Sequence, residues 1–133
     1  MANYYCSARS NYVRVKDVEA FKAWAERLGL EPYSRTHPDD GTEAWCVLCD
    51  GENSWPNFDP ETGEEIDFVE EMAKHMQPGE VAVLIETGAE KLRYLVGQAT
   101  AFDSNGTTIS LDLNEIYNMA CRVFHVVPTM AEY

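Results

Sequence analysis

Apolar residues recur at helical spacing in three parts of this chain and at strand spacing in the stretches between them. Val18, Phe21, Trp24, Ala25 and Leu28 return every three or four positions, the period of a helix face laid on a core. Asp17 stands where an N-cap belongs, and Gly29 with nearby Pro32 marks the end. Ile66, Val69, Met72, Ala73 and Met76 outline a second buried stripe. Thr62 and Glu65 are spaced as a capping box for it, so a helix over 64–77 is predicted, stopped by Pro78-Gly79. A third helix is predicted from Asp112 and Glu115 through Ile116, Tyr117, Met119, Ala120 and Val123.

The remaining pattern is extended. Residues 3–15 are rich in Tyr, Val and short polar residues, with a bend expected near Ser10-Asn11. Short strands are predicted over 31–36 and 43–50, and a strand apolar on both faces over 80–87. Two more, 92–102 and 107–113, flank Asp103-Ser-Asn-Gly106, a hairpin turn sequence. The order β–α–β–β–α–β–β–β–α, without repeat or linker, predicts a single α+β domain over 1–133. Its sheet should be mainly antiparallel, with about three helices packed on one side.

Composition supports a packed core over a disordered acidic tail, since 45% of the 133 residues are hydrophobic and 11% aromatic. No apolar run reaches the length of a membrane span. The start, Met-Ala-Asn-Tyr-Tyr-Cys, lacks the basic and apolar regions of a secretory signal, so a cytoplasmic protein is expected. Four scattered cysteines, Cys6 and Cys121 among them, are expected as reduced, buried thiols.

Charge changes the picture most. The net charge is −13, and from Pro38 to Glu71 there are twelve carboxylates and no Lys or Arg. A one-signed field of that density attracts basic protein surfaces and repels nucleic acid and anionic membrane. On a helix over 64–77, Glu64, Asp67 and Glu71 would form one stripe with Glu70 beside it, neighbours about 5–6 Å apart. That spacing is comparable with the roughly 3.4 Å per phosphate of a DNA strand. The helix dipole accounts for acids in the first turn, Glu64, Glu65 and Asp67. It leaves Glu70, Glu71 and the preceding acids unexplained by folding. A second patch would comprise Asp39, Asp40, Asp50 and Glu52, with Asp59 and Glu61 leading into the helix. Trp45 is expected in the core, and Trp55, between Ser54 and Pro56, is expected as an apolar anchor among the acids.

Other chemistries find little support. Asp50 to Glu61 has the length of a calcium loop, but Trp55 occupies the sixth position, where glycine is needed. Cys46-Val-Leu-Cys49 is a C-x-x-C in a predicted strand, where positions three apart face opposite ways, and no second pair accompanies it. There is no G-x-S-x-G, no P-loop and no dinucleotide fingerprint. No enzyme activity, metal or cofactor is therefore expected.

In size and charge layout the chain resembles the small acidic inhibitors encoded by phages and other mobile elements, the anti-CRISPR and antirestriction DNA mimics. The resemblance implies a stoichiometric inhibitor whose partner is the basic nucleic-acid-binding groove of a defence nuclease complex. An immunity protein for a basic nuclease toxin would use the same surface. In a small enzyme or ligand-binding domain, by contrast, the acids would only solubilise. The chain is expected as a monomer or a small homo-oligomer, the latter joined through sheet edges.

Overall fold

A computed structural model of the chain describes residues 4–49, 55–90 and 94–129. The elements follow the predicted order: β1 (Tyr4–Ser10), α1 (Val18–Arg27), β2 (Glu31–Thr36), β3 (Glu43–Cys49), α2 (Phe68–His75), β4 (Val81–Glu90), β5 (Tyr94–Asp103), β6 (Thr108–Asp112) and α3 (Glu115–Phe124). The six strands form one antiparallel sheet in the order β2-β3-β1-β4-β5-β6. This is the α+β architecture expected from the pattern.

Register assigns the two faces. Ala8 pairs with Cys49 and Glu86, and Leu84 pairs with Thr100. The face bearing Ala8, Cys49, Val47, Ala82, Leu84 and Phe102 belongs to the buried core, together with Phe21 and Ala25 of α1 and Phe68, Met72 and Ala73 of α2. α1 forms where its local signals place it. Asp17 caps it by accepting from the Ala20 N–H at 3.1 Å, and Gly29 follows its end at φ +77°, a conformation that costs other residues strain.

β1 ends in a device built from two polar side chains. Ser10 is buried, and its hydroxyl accepts from the Val47 N–H at 2.9 Å while donating to the Asn11 carbonyl at 2.8 Å. The Asn11 amide then stands in for backbone, donating to the Val81 carbonyl and accepting from the Val83 N–H. Regular pairing of β1 ends here, and Val13 resumes pairing against Trp45. Replacing Ser10 by alanine leaves the Val47 N–H buried without its partner. A loss of about 1–3 kcal/mol is expected by urea denaturation, and an unchanged midpoint would show that the hydroxyl is dispensable.

Two elements depart from expectation. α2 begins at Phe68, not at 64: Asp67 is its N-cap, accepting from the Glu70 N–H at 3.1 Å. The Thr62 hydroxyl instead accepts from the Glu64 N–H within a turn, and Glu65 is extended, bridged to Phe58. That bridge, with the Ile66 N–H bound to the Asn57 carbonyl at 2.8 Å, occupies backbone that a longer helix would need. α3 lies where predicted in sequence but buries no side chain. The capping proposed for it also differs: Asn114 holds the cap position without a side-chain bond, and Asp112 accepts from the Asn114 N–H. Packing on the helical side of the sheet is therefore the work of α1 and α2.

Candidate functional site

The acidic segment is organised around a closed loop. Residues Asn57 to Ile66 turn back on themselves through the Asp59 N–H on the Glu64 carbonyl (2.8 Å), the Gly63 N–H on the Asp59 carbonyl (2.7 Å) and the Phe58–Glu65 bridge. The Asp59 carboxylate ties this loop inward, accepting from the Glu61 N–H at 2.8 Å and pairing with Arg27 at the end of α1. Desolvation pushes the Asp59 carboxyl up, but the Glu61 N–H and the Arg27 guanidinium outweigh it and hold the group below its ordinary range. Arg27 also approaches Glu61 at 3.5 Å.

Several candidate acids prove to have structural partners. Asp40 closes the turn before β3, accepting from the Thr42 hydroxyl at 2.7 Å and backbone at 3.0 Å, and pairs with Arg14 at 2.7 Å. Arg14 reaches on to Glu80 at 2.9 Å. Asp67 is the cap of α2. Glu70 and Glu71 fall in its first turn, where the helix dipole favours them; Glu70 lies 3.6 Å from Lys74, and Glu71 accepts from the Trp24 indole N–H at 3.0 Å. These were the two acids that a helix starting at 64 left unexplained. The later start reverses the assignment. Glu64 and Glu65 now have no basic partner among the described residues, and exposed Asp39 has only His37, at 3.8 Å. Asp50 and Glu52 lie outside the described residues, as does the Cys6 side chain.

The aromatics also sort themselves. Trp45 is core, as expected. Trp55 is half-buried, stacked on buried Phe68 with ring centroids 5.1 Å apart. Phe58, 60% exposed and bridged to Glu65, is the bare ring of the acidic loop. It was predictable only as an aromatic among acids, because its exposure depends on the loop closing. Beneath the loop lies a cleft of about 430 Å³ between the start of α2 and strands β4 and β5. Trp55, Phe68, Glu65, Asp67, Gln98 and buried Glu86 line it, with Gln98 donating to Glu86 at 2.8 Å. No family model, curated protein or solved structure matches the chain.

Cys46 and Cys49 are both buried but sit on opposite faces of β3: Cys49 is in register with Ala8, and Cys46 with Tyr33 of the edge strand. They cannot share one metal ion in this geometry. Cys121 is half-buried on α3. Among the described residues no helix is long and apolar enough to cross a membrane.

The pairings predict how stability varies with pH. The Thr42 hydroxyl and backbone, with Arg14, hold the Asp40 carboxyl down to about 2 from its ordinary 3.8. The folded state therefore binds fewer protons than the unfolded chain between those values. Stability from Asp40 is fully present above about pH 4 and drains away as pH falls towards 2, with Asp59 acting in the same direction. Burial against α1 lowers the His75 pKa below 6.5, so acid also costs stability as pH falls through and below that value. Urea midpoints of the wild type and Asp40→Asn between pH 2 and 7 check this. The variant should lose the Asp40-dependent part of the slope between 4 and 2, and parallel curves there would contradict the assignment.

Proposed function

We propose that this chain is a stoichiometric protein inhibitor that sets its acidic surface into the basic nucleic-acid-binding groove of a defence nuclease complex. One observation carries the reading: Glu61, Glu64 and Glu65 project from a loop closed by its own backbone bonds and tied to α1, with exposed Phe58 beside them. Glu64 and Glu65 have no basic partner among the described residues, and Glu61 shares Arg27 with Asp59. Such an excess of carboxylate steers a basic partner, and pre-ordering lowers the entropy lost on binding. The adjoining ring supplies desolvated contact area. Asp40, Asp59, Asp67, Glu70 and Glu71 extend the negative field while serving the fold, and exposed Asp39 adds to it.

The test is competition. Purified protein is titrated into defence nuclease complexes carrying a labelled DNA duplex, and displacement is followed by anisotropy at low and high salt. Displacement complete at one equivalent and weakened by salt is expected. Glu61→Lys, Glu64→Lys and Glu65→Lys together should weaken it by about tenfold or more. Equal displacement by the triple variant with unchanged circular dichroism would overturn the reading. Inhibition of a basic nuclease toxin with the DNA-binding groove left open would indicate the immunity-protein role.

The cleft favours a second reading, a small-ligand-binding domain in which the acids only solubilise. About 430 Å³ bounded by two stacked aromatics and a Glu86–Gln98 pair is large enough for a small molecule. A ligand whose binding is abolished by Gln98→Leu but indifferent to the triple charge reversal would decide for it.

A further inference from the structure

The sheet face opposite α1 and α2 is apolar and bare over β4, β5 and β6. Register places Ile85, Ala99 and Leu111 in one row across it and Val83, Ala101 and Ile109 in the next. The small residues on β5 leave a shallow channel of about 210 Å³ between the larger side chains of β4 and β6. Directly after β6 the same chain carries an apolar ridge. Ile116, Met119 and Val123 lie at i, i+3 and i+7 along α3, all exposed. Only Leu113 and Asn114 connect strand to helix, and Leu113 folds over Gly97, where an added Cβ would come within 2.6 Å of its Cδ1. Channel and ridge thus occur on one chain and do not meet in it: no α3 residue is buried, and Ile109 remains 74% exposed.

Among the described residues, eleven large apolar side chains between Val81 and Val127 are 47–84% exposed. A standard interface buries about 800 Å² on each partner, a demand that calls for exposed apolar side chains in such numbers. We propose that the chain forms a two-fold dimer in which α3 of each copy lies in the β4–β6 channel of the other.

Charge selects a second copy over other occupants. Over β4–β6 the two rows contain no ionisable side chain, nor does the ridge. Arg9, which continues the Ile85 row on β1, lies outside the channel lining, so two copies can close the channel without desolvating a charge. A basic partner gains nothing from such a surface. A membrane is disfavoured because α3 offers Arg122 against Glu115 on a chain of charge −13, where interfacial helices are rich in Lys and Arg. One self-complementary pair of surfaces, used twice about a two-fold axis, closes the assembly.

Sedimentation velocity and light scattering of the full chain test the dimer, with twice the monomer mass expected at micromolar concentration. Raising salt should preserve or tighten it, opposite to the effect expected on an acid–base complex with a nuclease, so the two proposals fail separately. Ile109→Glu and Val123→Lys alter exposed positions and should each yield monomers with native circular dichroism. Mixing these two variants should restore a dimer, because the carboxylate introduced on β6 of one copy meets the ammonium introduced on α3 of the other. A monomeric wild type at 100 µM or so would overturn the proposal. So would a dimer indifferent to both substitutions, the result expected of pairing through the β6 edge or another face.

Discussion

Replacing Phe21 by alanine is expected to remove about 3–5 kcal/mol of folding stability. Phe21 is fully buried, and its ring is the point where three others converge: Trp24 at 5.7 Å, Trp45 edge-on at 6.3 Å and His75 at 6.1 Å. It therefore joins α1 to β3 and to the end of α2 in one contact. Truncation removes the transfer free energy of the ring and leaves a cavity between rigid aromatic walls, which cannot collapse to fill it. Domains of this size are stable by only about 5–15 kcal/mol, so the variant should be marginal at 37 °C. Urea denaturation should show a large fall in midpoint at nearly constant slope. Phe21→Leu, which keeps most of the volume, should fall much less. A loss below about 1 kcal/mol for the alanine variant would show that α1 does not bear on the core as described.

The same helix marks what could be read from the sequence and why. Asp17, the 18-21-25 spacing and Gly29 are local signals that agree with one another, and α1 follows them. The start of α2 could not be read this way. Thr62 with Glu65 and Asp67 with Glu70 are both cap residues followed three positions later by Glu, and nothing local ranks them. The choice is made by the Phe58–Glu65 bridge, a contact formed only when the loop closes. Charge was misjudged for a related reason. Counting by segment found no basic residue among twelve acids, whereas Arg14 and Arg27 reach into that segment from 26 and 32 positions away. The candidate site consequently narrows from a helical stripe to the loop bearing Glu61, Glu64 and Glu65. Alternation in β4 indicated two apolar faces correctly. Whether each face would be covered was beyond the pattern, since α3 carries a stripe just as apolar as that of α1 and leaves it bare.

Replacing Met72 by alanine should cost about 2–5 kcal/mol and test whether the acidic surface depends on the core beneath it. α2 has eight residues, too few to hold a helix in water unaided. Its persistence rests on Phe68, Met72 and Ala73 against the sheet and on fully buried Met76 just beyond it. Met72 lies one turn after Phe68, whose ring stacks between Trp24 and Trp55. Losing the thioether side chain opens space under that stack and loosens the register in which Glu71 meets the Trp24 indole N–H. Met72→Leu, close in volume, should cost less than about 1.5 kcal/mol and leave the surface intact. The two variants therefore separate stability from charge, because neither alters a carboxylate. If the alanine variant, held folded at low temperature, displaces DNA less effectively while the leucine variant matches the wild type, ordering of the acids contributes to binding. If both displace DNA equally well, net charge alone suffices, and the pre-ordered surface is no part of the mechanism.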